Sequence, residues 1–197
     1  MSFVDAIKNH EMYNSELTGL AKNRFTDAET QLAIANHSYR LAKSYLACNP
    51  KITQEAAEVL WDHRGYVFKS ELLRTGAIDI DEDTYWAVYN QYFKNNSRSH
   101  WRMLGAFLGQ RYWRENHGAN KTPGALLEQM FKDLPEDEKR AYTITRFIDH
   151  PNCTLELAIK ISVMPEEPDH YYGGNGNWIR QAQLKVAELT KKQLESA

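Results

Sequence analysis

One turn sequence recurs along this chain and constrains its fold more than any other feature. In its clearest copy, Leu46–Glu55, a helical pattern ends at Asn49–Pro50 and a new pattern begins at Thr53. The residue before a proline disfavours the α conformation, so the chain has to turn there. Related copies lie at 20–29, 73–82 and 148–156. The chain therefore makes the same turn between two helices several times; each such turn is called a corner below.

The residues predicted to restart a helix after the first three corners are evenly spaced. Thr26 and Thr53 are 27 residues apart, and Thr53 and Asp81 are 28 residues apart. Thr26 is also followed by Glu29 in a capping-box pattern. A period in the range of roughly 20 to 50 residues is typical of stacked repeats, because one short helix pair cannot bury its apolar face alone. The alternative is an irregular helical bundle that reuses threonine caps and Asn-Pro turns.

Between the turns the apolar residues follow helical spacing, and no stretch alternates polar and apolar residues as a strand does. The sequence therefore predicts an all-α chain. Among the expected helices are 66–74, which ends before Gly76, one that begins after Asp81 or Asp83, one from Ser99 to about Glu115, one from Pro135, and one from Trp178 to about Leu194. In the third of these, Trp101 and Leu108 are expected to face the core.

The order Leu-Ala-x-Asn-Pro, then x-Ile-Thr-x-Glu and an apolar helix, resembles the variant leucine-rich repeat, a relative in shape of the HEAT-like α-solenoids. Residues 46–61 carry the best match; partial matches lie at 20–34, 148–161 and, with an insertion, 73–88. The resemblance implies an interaction scaffold rather than an enzyme. One relative of these repeats holds an iron–sulfur cluster on a run of cysteines. No such run exists here, and no cofactor is expected.

Together these observations predict a short right-handed α-solenoid of stacked helical repeats whose C-terminal half is irregular. We expect a single domain over residues 1–197. Its parts would be regular repeats at 15–93, less regular repeats at 94–164, a loop at 165–177 and a C-terminal helix at 178–197.

Composition and charge narrow the cellular setting. The net charge of -2 gives no overall bias towards polyanions or polycations. No apolar run approaches the length of a membrane span, and residues 1–10 do not have the pattern of a secretory signal. The two cysteines, Cys48 and Cys153, suit buried packing positions in a reducing compartment. We therefore expect a cytoplasmic protein without membrane contact, of unknown oligomeric state.

No familiar catalytic or metal-binding pattern emerges. Asp79, Asp81 and Asp83 resemble the start of a calcium loop, but its required glycine and glutamate are absent, so helix capping is the better interpretation. No two of the seven histidines have the four-residue helical spacing of a metal pair. His150 occupies the turn position that Asn49 occupies in its own copy. No catalytic residues and no metal are expected.

The segment 94–121 concentrates positive charge and aromatic side chains. The segment contains six basic residues and one acidic residue, Glu115, which gives it a net charge of +5. Such a segment suits an acidic protein surface, since Arg, Trp and Tyr are enriched at binding hot spots, and it equally suits a phosphate backbone. The predicted partner-binding residues are Lys94, Arg98, His100, Arg102, Arg111, Tyr112, Trp113, Arg114, His117 and Lys121, with Tyr171 and Tyr172 in the following loop.

The sequence therefore favours a non-catalytic adaptor or inhibitor that binds a protein partner with an acidic surface. The alternative is a HEAT-like protein that binds nucleic acid through the same basic segment. An enzyme such as a helical-repeat DNA glycosylase matches the predicted shape only, because no site for it can be assembled from these residues.

Overall fold

The computed structural model describes residues 2–94, 99–109, 121–136, 139–165 and 177–196. All regular secondary structure in these ranges is helical, as the sequence predicted. The chain divides into two compact units, Met1–Asn120 and Lys121–Ala197. The division falls within the segment 94–164, to which the sequence assigned the less regular repeats.

The first unit contains eight described α-helices and one π-helical segment. The α-helices are α1 Phe3–Lys8, α2 Asn14–Lys22, α3 Ala28–Asn36, α4 Arg40–Ala47, α5 Gln54–Asp62, α6 Tyr66–Thr75, α7 Glu82–Val88 and α8 His100–Phe107. The π-helical segment, Tyr89–Lys94, continues directly from α7. In the second unit the described helices are α9 Gly124–Asp133, α10 Ala141–Asp149, α11 Leu155–Ser162 and α12 Asn177–Glu195.

Alternate helices of the first unit contact one another in two series. In one series α3 contacts both α1 and α5, and in the other α4 contacts both α2 and α6, which in turn contacts α8. Neighbouring helices along the chain also pack together, so the two series share one core. Its fully buried side chains include Ile7, Leu17, Ile34, Leu46, Leu60 and Leu72. In the second unit, α11 contacts α9 and α12, and α12 also contacts α10.

The repeated turn has one geometry at three places. At each, a side chain accepts a hydrogen bond from the backbone N–H two residues later, and its own carbonyl accepts from the N–H three residues later. The accepting side chains are Asn23, Asn49 and His150, at 3.0, 2.9 and 3.1 Å. The N-cap of the next helix lies four residues on, at Asp27, Thr53 and Thr154. His150 Nδ1 therefore does what the asparagine Oδ1 atoms do.

Two buried amides join the first corner to the second. Asn49 Nδ2 donates to the carbonyl of Ala21 at 2.9 Å and to that of Asn23 at 3.0 Å. Gln31 Nε2 donates to the carbonyls of Thr26 and Lys51, while Gln31 Oε1 accepts from the N–H of Thr53 at 2.8 Å. The side chains of Asn49 and Gln31 are each 2% exposed. Burial makes these bonds hard to lose, because an unpaired carbonyl or N–H would stay out of water.

The second unit has its own corner contact. Asn152 Nδ2 donates to the carbonyl of Thr122 at 2.9 Å, and the hydroxyl of Thr154 donates to Glu128 Oε1. Gly124, at the start of α9, lies so close to this corner that a Cβ atom there would be 2.6 Å from Thr154 Cγ2. The absence of a side chain at Gly124 lets α9 approach α11.

Several predicted boundaries are wrong, and each error has a local cause. Asp27 rather than Thr26 caps α3, since Asp27 accepts from the N–H of Thr30 at 2.9 Å and Thr26 donates its hydroxyl to the carbonyl of Leu20. The helix predicted from Ser99 to about Glu115 ends at Phe107, followed by Gly109 with φ +69°. The helix predicted from Pro135 begins at Ala141. Residues 110–120 lie outside the described residues.

Other details of the prediction are confirmed. Gly76 ends α6 in the left-handed conformation at φ +64°, and Asp81 caps α7 by accepting from the N–H of Thr84 at 2.8 Å. The two cysteines, however, are not both buried as expected. Cys48 is exposed and precedes the turn residue Asn49, whereas Cys153 is buried and lies three residues after His150. None of the described helices combines the length and apolar character that crossing a bilayer requires.

The Asn49 side chain gives a direct test of the corner. We expect Asn49→Ala to lower the free energy of unfolding by about 3 kcal/mol, because the buried carbonyl of Ala21, the partly buried carbonyl of Asn23 and the N–H of Lys51 each lose a hydrogen bond. Urea denaturation followed by circular dichroism measures this change. Asn36→Ala is the matched control, since Asn36 Nδ2 bonds only within its own helix at an exposed position, and should cost less than about 0.5 kcal/mol. Equal losses in both variants would contradict the role assigned to Asn49.

The close approach at Gly124 gives a second test. Gly124→Ala should destabilise the chain by about 1–3 kcal/mol, because its Cβ would overlap Thr154 Cγ2. Thr154→Ser removes that methyl group and keeps the capping hydroxyl, so the double variant should recover part of the loss. Gly105→Ala is the control: no described atom lies within 4 Å of its added Cβ, and it should stabilise α8 by about 0.5–1 kcal/mol. Additive effects of the Gly124 and Thr154 changes would show that the contact is unimportant.

Candidate functional site

A groove with a volume of about 370 Å³ lies between α1 and α3. This volume falls at the lower end of the range seen for small-molecule sites. Its apolar lining comes from one face of each helix, namely Val4, Ile7, Leu32 and Ala33. Its polar lining consists of Lys8, His10, Glu29, Asn36 and His37. A mainly apolar surface with a few polar groups is the usual composition of a binding site.

The polar residues lie at the two ends of the groove. Glu29 is in the first turn of α3, and Asn36 is its last residue, about 10 Å further along the helix axis at 1.5 Å per residue. Lys8 ends α1, and His10 and His37 follow the ends of α1 and α3. The groove thus has an acidic group at one end and a lysine with two imidazoles at the other.

The two imidazoles are hydrogen-bonded to each other. His10 Nδ1 lies 2.8 Å from His37 Nε2, and the ring centroids are 4.6 Å apart. His37 Nδ1 accepts a hydrogen bond from the N–H of Tyr39 at 3.0 Å. A neutral His37 must therefore carry its proton on Nε2 and donate it to His10 Nδ1, which leaves the remaining proton of His10 on Nε2. His10 reaches this position from a left-handed backbone conformation with φ +58°.

This proton arrangement does not suit a metal ion. A metal bound at His37 Nε2 would move the proton to Nδ1, where the N–H of Tyr39 already donates. Among the described residues no group of three or more His, Cys, Asp and Glu side chains is arranged to hold a metal. The histidine pair is better suited to linking the ends of α1 and α3 and to presenting N–H donors.

A lysine and a third histidine, Lys43 and His63, continue the line of side chains that begins with His10 and His37; this line is called the histidine row below. Lys43 Nζ lies 2.7 Å from His63 Nε2, and the Lys43 side chain is only 6% exposed. Burial lowers the pKa of the Lys43 ammonium group. Burial and then the charge of Lys43 lower the pKa of His63, which also bonds to the backbone of Ala35. Lys69 donates to the carbonyl of Trp61 near the end of α5 and lies 4.7 Å from the centre of its ring.

The histidines of the row have nearly the same spacing as the corners, and they were not predicted from the sequence. His10, His37 and His63 follow the ends of α1, α3 and α5 and are 27 and 26 residues apart. A search for pairs four residues apart cannot find them, whereas a search at the period of the corners would. Cationic and hydrogen-bonding side chains are favourable at these positions because helix C-termini carry partial negative charge.

The predicted basic segment is described only in part. Lys94, His100 and Arg102 lie in the first unit and Lys121 in the second. The other eight predicted residues lie outside the described residues: Arg98, Arg111, Tyr112, Trp113, Arg114, His117, Tyr171 and Tyr172. The structure therefore does not show whether the predicted set forms one surface.

The start of α8 differs from the prediction in one respect. Trp101 is 55% exposed rather than directed at the core. His100 stacks against the ring of Phe93 with centroids 4.1 Å apart, while Met103, Leu104 and Phe107 take the buried positions. Leu108 is buried as predicted. Trp101 and Arg102 are consequently exposed side by side, with Lys94 exposed at the end of the π-helical segment.

No protein-family model, curated protein or solved structure is significantly similar to this chain. Its function has to be argued from the side chains and their arrangement.

The histidine pair makes stability depend on pH. Burial, followed by the charges of His10 and Lys43, lowers the pKa of His37 below its ordinary value of about 6.5. Just below that pH the unfolded chain binds more protons than the folded chain. The contribution of His37 to the free energy of unfolding is therefore fully present above about pH 6.5 and is lost as the pH falls through the lower pKa of the folded state. The pKa of His63 is shifted in the same direction. Urea denaturation at a series of pH values should show this loss.

His37→Asn should make the pH dependence shallower. The asparagine Oδ1 can still accept the N–H of Tyr39, as Asn49 Oδ1 accepts that of Lys51, but it does not titrate. An NMR titration of the His37 ring in the native chain gives its folded pKa directly. A folded pKa at or above the ordinary value, or an unchanged slope in the variant, would contradict this assignment.

Proposed function

We propose that this chain is a non-catalytic helical-repeat protein, an α-solenoid of HEAT-like or variant leucine-rich type, that binds an acidic surface of a protein partner. The observation that supports it best is the contact of alternate helices, α1 with α3 and α5 in one series and α2 with α4, α6 and α8 in the other. Stacked repeats bury their apolar faces in this way and leave long outer surfaces for binding.

The corner geometry supports the same proposal. The turns at Asn23 and Asn49 have the same internal hydrogen bonds, and their N-caps, Asp27 and Thr53, are 26 residues apart. The corner at His150 in the second unit reproduces the pattern. One turn geometry at three places supports stacked repeats over an irregular bundle.

We place the binding surface in the basic and aromatic segment 94–121. Within its described part, Trp101 and Arg102 are both exposed at successive positions near the start of α8. Tryptophan and arginine are the residue types that most often dominate interface energetics. The local excess of basic residues favours a partner with an acidic surface and would speed its association. The second candidate is nucleic acid, because an exposed indole beside an arginine also suits a base and its phosphate.

Changing the two exposed residues tests this surface. Trp101→Ala and Arg102→Glu should each weaken binding of the authentic partner about tenfold or more. Quantitative affinity capture identifies proteins that the native chain retains, and titration of each purified candidate then measures its affinity. Phe25→Ala and Arg40→Glu are matched controls, since both side chains are exposed elsewhere in the first unit. The four variants should retain native helicity.

Titration with single-stranded and duplex DNA and RNA at two salt concentrations separates the two candidates. A steep salt dependence that Arg102→Glu reduces would favour nucleic acid. A protein partner lost equally with all four variants, or with none, would remove the proposed surface.

A further inference from the structure

We propose that the groove between α1 and α3 binds a small unbranched monocarboxylate whose apolar chain lies on the groove floor and whose carboxylate meets Lys8 and His10. This proposal is independent of the partner surface at the start of α8. It rests on the shape of the groove, the distribution of charge along it and the donors at one end.

The groove floor suits an apolar chain. Val4 and Ile7 of α1 and Leu32 and Ala33 of α3 line it, and Leu32 keeps 37% of its surface exposed. Since α1 has six residues and α3 has nine, α1 does not cover the whole length of α3. A ligand that covers Leu32 would remove apolar surface from water, which is the main favourable contribution to binding here.

At one end of the groove, Lys8 and His10 offer hydrogen-bond donors, and the Oδ1 of Asn36 is an acceptor beside them. The hydrogen bonds of the histidine pair leave a proton on His10 Nε2, and Lys8 carries an ammonium group. The carbonyls of Asp5, Ala6 and Ile7 in the last turn of α1 already accept from the N–H groups of residues 9, 11 and 10, respectively. Asn36 Nδ2 donates to its own helix at Leu32. These satisfied carbonyls limit the partial negative charge of the helix end, so Lys8 and His10 favour a ligand group that accepts hydrogen bonds and is negatively charged.

The opposite end of the groove selects against a second negative charge. Glu29 lines it about 10 Å from Asn36 along α3, a distance that an extended chain of roughly eight carbons spans. A dicarboxylate of this length would place its second charge near Glu29 and be repelled. The combination favours a monocarboxylate over both a neutral alcohol and a dicarboxylate. We therefore choose octanoate as the probe.

Three probes of one chain length test the ligand class. The full-length protein, labelled with ¹⁵N, is titrated with octanoate, octan-1-ol and octanedioate below the concentrations at which octanoate or octan-1-ol aggregates. Octanoate should bind most tightly and shift the amide signals of Ile7, Leu32 and Ala33. Equal affinity for the three probes, octanedioate as the tightest ligand, or shifts scattered outside the groove would overturn the proposal.

Single variants test the two halves of the site. Lys8→Met keeps the apolar stem and should weaken octanoate binding about two- to fivefold while octan-1-ol is unaffected. Leu32→Ser should weaken both ligands by roughly three- to tenfold, because it removes part of the apolar floor. Lys191→Met changes an exposed lysine of the second unit and should leave both affinities unchanged. All three positions are at the surface or partly exposed, so these variants should fold. An unaltered octanoate affinity in Lys8→Met would also overturn the proposal.

Discussion

The buried amide of Asn49 is the interaction on which the arrangement of the first unit depends. Its Oδ1 closes the second corner by accepting from Lys51, and its Nδ2 holds the carbonyls of Ala21 and Asn23 at the end of α2. One side chain therefore shapes a turn and attaches it to the turn one repeat earlier. Gln31 makes the complementary link from α3. Because both amides are buried, a shift of one corner against the other would leave several polar groups unpaired.

Aligned corners also determine which side chains meet at the other ends of the helices. Once α1, α3 and α5 are held in one series, the residues just after them come together in a row. His10 then bonds to His37, and His63 to Lys43. The row concentrates imidazole and ammonium groups where helix carbonyls end, and burial keeps the pKa values of His37, Lys43 and His63 low. The same alignment places α1 beside α3, where its short length leaves the groove.

The sequence predicted the local parts of this structure better than the long-range parts. Asn49–Pro50 and Thr53 defined the corner because proline geometry and helix capping act within a few residues. Asp27 displaced Thr26 because both residues can cap a helix and only the folded corner distinguishes them. Trp101 was expected to face the core as part of a helix from Ser99 to about Glu115, but α8 ends at Phe107 and buries Met103, Leu104 and Phe107 instead. The contacts of Asn49 with α2 span 26 and 28 residues, and no local pattern contains them.

The two candidate sites lie where helix packing leaves large apolar side chains exposed, and this has a physical reason. In a regular stack each helix covers the apolar face of its equivalent in the next repeat, so an exposed apolar side chain marks a place where this cover is incomplete. At α1 the covering helix is three residues shorter than α3, and part of Leu32 stays exposed. At the start of α8, Trp101 and Arg102 are exposed. The corners hold the helices in place, and these two exposed positions are the surfaces for which we propose binding.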